Sequence, residues 1–262
     1  MSEKSKSMET APAAAKESAA KTVRKISKEE SGDTMNLAAM DDTIVFAEGL
    51  GERYNPAYDT IKLAGLKTCQ AGCKAAFESL RESDSRADDA RNKRAAAFSA
   101  LGKLSTRVYN AFYIAASKKQ AADAQAIVKK VRGGGKRLKD TQNPDAKTIS
   151  TSQMKMESRI ENMRRLVSYV AGTGIYASNE TDLTAKALGT HIDSLVTLND
   201  QATRLSTTVA ADRIKKDKLF YDGEGSLVDR GLDVKKYIKS AFGAGSPEYA
   251  AISKIKFKNK KR

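Results

Sequence analysis

Ile127-Val128-Lys129-Lys130-Val131-Arg132-Gly133-Gly134-Gly135-Lys136-Arg137-Leu138-Lys139 is a short apolar stripe that runs into a basic, glycine-broken end. It has a counterpart 125 residues later, where Ile252, Lys254 and Lys261-Arg262 fall opposite Ile127, Lys129 and Lys136-Arg137. Two halves of one chain that end alike point to a repeated helical unit with a basic pole closing each copy.

The likeness extends backward. At an offset of 122, Ile44-Val45 meets Leu166-Val167, Tyr54 meets Tyr176, Ile61 meets Leu183, Leu66 meets Leu188 and Phe98 meets Phe220. At 123, Arg107 meets Arg230; at 124, Tyr113-Ile114 meets Tyr237-Ile238. The offset drifts in one direction, as gaps at loops would make it do. The expected fold is all-α: an elongated helical bundle of two tandem pseudo-symmetric repeats behind a disordered N-terminal tail. The divisions are residues 1–30 for the tail, 31–143 for the first repeat and 144–262 for the second. Two arrangements stay open, four-helix units in tandem or one joint bundle in which the copies complete each other's core.

Composition agrees with helices. Among 262 residues, 40% are hydrophobic and 6% aromatic, there is no Trp, and only four Pro interrupt the chain. Small apolar side chains of high helix propensity favour closely packed helices over a sheet core. Residues 1–30 hold Val23 and Ile26 as their only large aliphatics, too little to offset the entropy of ordering. A first helix is expected over 35–48 with Asp33-Thr34 as its cap. A longer one starts at Tyr54-Asn55-Pro56, with a stripe through Ile61, Leu66, Cys69, Cys73, Ala76 and Leu80. The polar stretch Ser83 to Asp89 reads equally as a loop or as exposed helix. Another helix covers about 120–132, and Gly133 to Asn143 reads as a loop. The second pass gives a helix ending at Gly172, a long one from Tyr176 through Leu195, Leu198, Ala202, Leu205 and Val209, then helices over Leu227–Phe242 and after Ser246-Pro247.

The formal charge is +15, which suits a polyanionic partner. The tail does not supply it, since residues 1–33 carry seven basic and six acidic residues. The excess lies on the helical halves and their ends: Lys129, Lys130, Arg132, Lys136, Arg137 and Lys139 in the first, Lys254, Lys256, Lys258, Lys260, Lys261 and Arg262 in the second. Such clusters neutralise phosphates, whereas Phe257 is the one aromatic among them, so base stacking is not indicated.

Catalytic motifs are missing. Gly133-Gly134-Gly135-Lys136 departs from the phosphate-loop pattern at Lys130 and Arg137. Cys69 and Cys73, one helical turn apart, are two ligands where structural zinc wants four, and read as small core residues in a reducing compartment. His191, the only His, has no nucleophile or carboxylate at a recognisable spacing. The chain reads as non-enzymatic and cofactor-free, without integral membrane association, and cytoplasmic. The expected function is non-sequence-specific binding of nucleic acid or another polyanion through the two basic ends. The alternative is a structural scaffold whose helices associate with a second copy or another protein.

The run Asp233-Val234-Lys235-Lys236-Tyr237-Ile238-Lys239-Ser240-Ala241-Phe242-Gly243-Ala244-Gly245-Ser246-Pro247-Glu248-Tyr249, followed by Ile255-Lys256-Phe257, resembles the C-terminal signature of an uncharacterised family of bacterial all-helical proteins. The segments around Asn55 and Asn179, and Lys147 to Ser150, are similar to the same family. The resemblance spans about 35–258 and implies helices, but no activity, cofactor or site residue.

Overall fold

The computed structural model describes residues 28–133, 155–222 and 224–259. Among these there are seven α-helices and no strand: α1 (Lys28–Gly49), α2 (Leu63–Tyr113), α3 (Lys118–Val131), α4 (Met156–Gly172), α5 (Ala185–Phe220), α6 (Leu227–Phe242) and α7 (Pro247–Ser253). Most of the tail and most of the loop expected at 133–143 lie outside the described residues.

α2 has 51 residues and α5 has 36, so at 1.5 Å per residue they extend roughly 76 and 54 Å. They lie antiparallel. Asp182 at the start of α5 pairs with Arg107 late in α2, Asn199 meets Arg94, Arg213 meets Asp84, and Phe220 stacks at a tilt on Phe77. The reason is a seam. On α2, Leu66, Gln70, Cys73, Phe77, Leu80, Asp84, Ala87, Arg91, Arg94, Phe98, Leu101, Ser105, Val108 and Phe112 step alternately by four and three and are all buried or half-buried. α5 answers with Leu188, Ile192, Leu195, Asn199, Ala202, Val209, Lys216 and Phe220. Such spacing keeps one stripe facing a partner helix over many turns. Ser83 to Asp89 is therefore helix. Between Gly72 and Gly102 there is no Gly or Pro, and Glu82–Arg86 and Asp89–Lys93 pairs at i,i+4 support the exposed face.

The seam carries two cores. Lobe one joins Phe98, Leu101, Val108 and Phe112 of α2 to Ile127, Val128 and Val131 of α3, Ile160, Met163, Leu166 and Val170 of α4, and Leu188, Ile192 and Leu195 of α5. Lobe two joins Leu37, Met40 and Ile44 of α1 to Leu66, Cys73 and Phe77 of α2, Phe220 of α5, Leu227, Val234 and Ile238 of α6, and Ile252 of α7. Neither core is confined to residues 31–143 or to 144–262. Between the lobes the seam thins to Ser83, Ala87 and Ala90 on α2 against Ala202 and Val209 on α5, a two-helix waist.

Both long helices start later than their sequence suggests. Tyr54 and Pro56 sit in irregular chain that passes through a 3-10 turn at Asp59–Ile61 before α2 begins, and Tyr176 precedes a matching turn at Thr181–Leu183 before α5. Tyrosine hydroxyls hold these turns: Tyr54 donates to the carbonyl of Ile61 and Tyr176 to that of Leu183, and burial pushes both phenols up from their ordinary pKa. The first helix is already formed at Lys28, where the described residues begin, so Asp33 is no cap. Its carboxylate accepts from Lys216 of α5 and from the hydroxyl of Tyr221, all largely inside the protein. Ile114 stands 87% exposed whereas Ile238 is fully buried, so the pairing expected at offset 124 does not put like residues in like places.

Two measurements check this packing. The 3-10 turn at Asp59–Ile61 crosses the first turn of α2 so closely that a methyl at Gly65 overlaps the carbonyl of Asp59, while one at Gly189 meets nothing. Gly65→Ala is expected to destabilise by about 1–3 kcal/mol in denaturant unfolding, and Gly189→Ala to stabilise by up to about 1 kcal/mol. Asp33→Ala strips the buried Lys216 ammonium of its main partner and is expected to cost about 3 kcal/mol in the same assay.

Candidate functional site

α3 is built to present cations at its end. A capping box between Ser117 and Gln120 starts it, and Ala121, Ala124, Ile127, Val128 and Val131 bury one face. The same periodicity leaves Lys129 and Lys130 exposed in the last turn, where ammonium groups also oppose the helix dipole, and Arg132 exposed just beyond. α3 runs back along α2 to Gly102, and the Arg132 stem lies beside that residue.

Arg159 of α4 closes the corner from below. Its guanidinium donates to the carbonyls of Val131 (3.3 Å) and Phe98 (2.8 Å) and lies 5.5 Å over the Phe98 ring. Burial holds its pKa below the ordinary arginine value. The result is a groove of about 550 Å³ lined by Ser99, Gly102, Lys103, Thr106, Arg107, Arg132 and Arg159. Four of the seven are basic and none is acidic.

These cations are not equivalent. Arg107 is held bidentate by Asp182, whose hydrogen bond raises the arginine and lowers the aspartate from their ordinary values. Arg159 spends its donors on two carbonyls. The hydroxyls of Ser99 and Thr106 donate back to Ala96 and Gly102 and offer an anion no proton. Lys103 and Arg132 form no ion pair among the described residues and present their charge to the groove. Chemically, the corner can receive an oxyanion on Lys103 and Arg132, with Arg159 supplying fixed positive charge behind them, while Asp182 offsets the charge of Arg107.

The second basic end is arranged differently. After α7 the chain is extended, and Phe257 lays its ring on Gly231, where a Cβ would collide with it. Lys235 of α6 reaches both this ring and the carbonyl of Ile255, and burial lowers its pKa. Asn36 of α1 pins this irregular segment, accepting from the Lys258 amide at 2.7 Å and donating to its carbonyl at 2.8 Å. Lys254, Lys256 and Lys258 remain exposed. Lys136, Arg137, Lys139, Lys260, Lys261 and Arg262 lie outside the described residues.

Among the described residues the two ends lie apart, each on its own lobe. One closes the inner end of lobe one at Phe98 and Gly102, and the other lies on α1 beside Asp33 and Lys216, at the inner end of lobe two. About 30 Å of waist separates them, counted along α2 from Phe77 to Phe98. Lys103, Arg107 and Arg159 escape a reading of basic runs. The first two are visible as an i,i+4 pair on one helix face, but Arg159 is delivered by another helix.

Two further grooves flank the lobes. One, about 610 Å³, contains Gly65, Thr68, Cys69, Gly72 and Arg230; the other, about 670 Å³, contains Ala187, Thr190, His191, Ser194 and Arg107. Each is the counterpart of the other at offsets of 122 and 123. No group of three or more His, Cys, Asp or Glu able to hold a metal occurs among the described residues, and no described helix is long and apolar enough to cross a membrane. No protein-family model, curated protein or solved structure matches the chain.

Proposed function

We propose that this is a non-enzymatic polyanion-binding protein that grips the backbone of duplex nucleic acid without reading its sequence. The observation that carries this is the corner where Lys103, Arg132 and Arg159 converge with their charges unpaired by any acid among the described residues, with Lys129 and Lys130 beside it and Arg107 held at its edge by Asp182. The lysines of 254–258 are a second, weaker contact across the waist. Phosphate contact positions a duplex but carries no sequence information, and a groove of lysine and arginine on helix sides offers no element to enter a base groove. Phe257, packed on Gly231, is not available to stack on a base.

A repeated ancestral unit accounts for this layout. It is supported by the Tyr54–Ile61 and Tyr176–Leu183 hydrogen bonds, by the matched 3-10 turns, and by the two corresponding grooves. In this reading the copies have diverged where they matter, one end keeping an open basic corner and the other closed by an aromatic ring.

Fluorescence anisotropy with a 25-base-pair duplex (about two and a half helical turns) at two salt concentrations tests the proposal. The K103E/R132E double variant is expected to bind at least about tenfold more weakly at low salt, with the slope of log affinity against log salt shallower by about 2. Triple replacement of Lys254, Lys256 and Lys258 by Glu should give a smaller loss. Absence of binding by the wild-type chain at low salt, or binding indifferent to both sets of changes, overturns it. A concentration-dependent oligomer in sedimentation that binds no duplex favours the scaffold instead.

A further inference from the structure

α2 runs through both lobes and fixes how they face. Its seam passes through Leu66, Cys73, Leu101 and Val108, which are spaced by multiples of seven, so residues directly after them share one flank and residues directly before them share the other. Lys67 and Lys74 follow Leu66 and Cys73, and they pair with Glu48 and Asp41 of α1. Gly102 follows Leu101, and the Arg132 stem at the end of α3 lies beside it. α1 and the end of α3 therefore stand on the same flank of one helix. The preceding positions, Gly65, Gly72, Ala100 and Arg107, line the grooves of about 610 and 670 Å³, which belong to the opposite flank.

Both basic ends ride on the flank of α1 and α3. The terminal segment is bound to α1 through Asn36, and its burial alternates. Ile255 and Phe257 pack on lobe two, whereas Lys254, Lys256 and Lys258 are exposed. Between the ends, the same row of α2 continues as Arg81, Asp88 and Ala95. Arg81 is paired with Glu78 and Asp88 with Arg91, and Ala95 carries no charge. Two basic ends thus flank a waist whose row adds no unpaired cation.

Their spacing follows from the packing. Asn36 reaches the hydroxyl of Tyr221, whose ring lies against that of Phe220, which in turn meets Phe77. The terminal segment is therefore near the level of Phe77, and the corner spans Phe98 to Lys103. Along α2 that is about 30–40 Å. One turn of a duplex is about 34–36 Å, and a strand returns to the same side of the duplex once per turn.

We propose that one duplex lies along this flank and bridges the waist, its backbone held one helical turn apart by the Lys103–Arg132 corner and by Lys254, Lys256 and Lys258. The bridge rests on the reading of the chain as a binder of duplex backbone. A duplex shorter than its persistence length of about 150 base pairs is a straight rod and keeps the spacing, whereas a single strand does not.

The test is fluorescence anisotropy of the full-length protein at two salt concentrations, with duplexes of 8, 12, 16 and 24 base pairs. Eight pairs cover less than one turn and reach one end; sixteen reach both. Affinity per available site is expected to rise at least about tenfold between 8 and 16 pairs and little beyond, as the second contact becomes intramolecular. Over the same interval the slope of log affinity against log salt should steepen by about 2. K103E/R132E and K254E/K256E/K258E should each remove the step while leaving the helical circular dichroism unchanged. Single strands of 8 and 16 nucleotides should show none. If the wild-type chain binds no duplex at low salt, the duplex reading falls and the bridge with it. Binding whose affinity per site stays level from 8 to 24 pairs, a step that survives either set of changes, or an equal step with single strands leaves backbone binding standing and overturns the bridge.

Discussion

The antiparallel contact of α2 with α5 is the constraint on which the other helices depend. A four-and-three spacing sustained from Leu66 to Phe112 lets two helices stay face to face over many turns; α1, α3, α4 and α6 pack against that pair, and α7 packs on α6. At each end the seam carries Phe and Leu, wide enough to recruit two or more further helices. In the middle it carries Ala, with Asp84–Arg213 and Arg94–Asn199 at its borders, and nothing else is recruited. Residue size along one stripe therefore sets the two-lobed shape.

The helices were legible because their stripes are long and their composition leaves no rival. Their beginnings were not, for reasons visible at Tyr54 and Tyr176. Each hydroxyl bonds a carbonyl seven residues ahead, which stabilises an irregular segment where periodicity alone extends the helix backward. Pro56 misled in the same way: proline suits a first helical turn, but here it lies in the irregular segment. Asp33 was mistaken for a cap because a short polar side chain at a helix start has two uses, and the buried Lys216 that claims it is 183 residues distant. The continuity of α2 through Ser83 to Asp89 was undecidable locally, since the partner that buries Ala87 belongs to the other half.

The site divides in the same manner. Lys129, Lys130 and Arg132 were found as a run of like charge, and their exposure follows from the stripe of α3. What makes a corner of them is tertiary: Lys103 and Arg107 from the flank of α2, and Arg159 from α4, whose donors tie Phe98 and Val131 together. The likeness of the two basic ends in sequence conceals their difference in shape. Arg132 lies on Gly102 with its charge outward, whereas Phe257 fills the crossing at Gly231. Small residues under a crossing segment permit either outcome, and the crossing side chain determines which is realised.

The composition of the two cores also imposes an order on synthesis. Lobe one is drawn from one uninterrupted stretch, Phe98 to Leu195, and its members emerge in succession. Lobe two needs Met40 and Ile44, made early, together with Val234, Ile238 and Ile252, made last. As the chain leaves the ribosome, α1 and the first half of α2 wait with an apolar face uncovered while lobe one is completed, and α5 then returns along α2 to deliver α6 and α7. The waist thus serves as a guide rail: long-range closure of lobe two is converted into the zippering of a helix already anchored at its far end, which shortens the loop that must be closed.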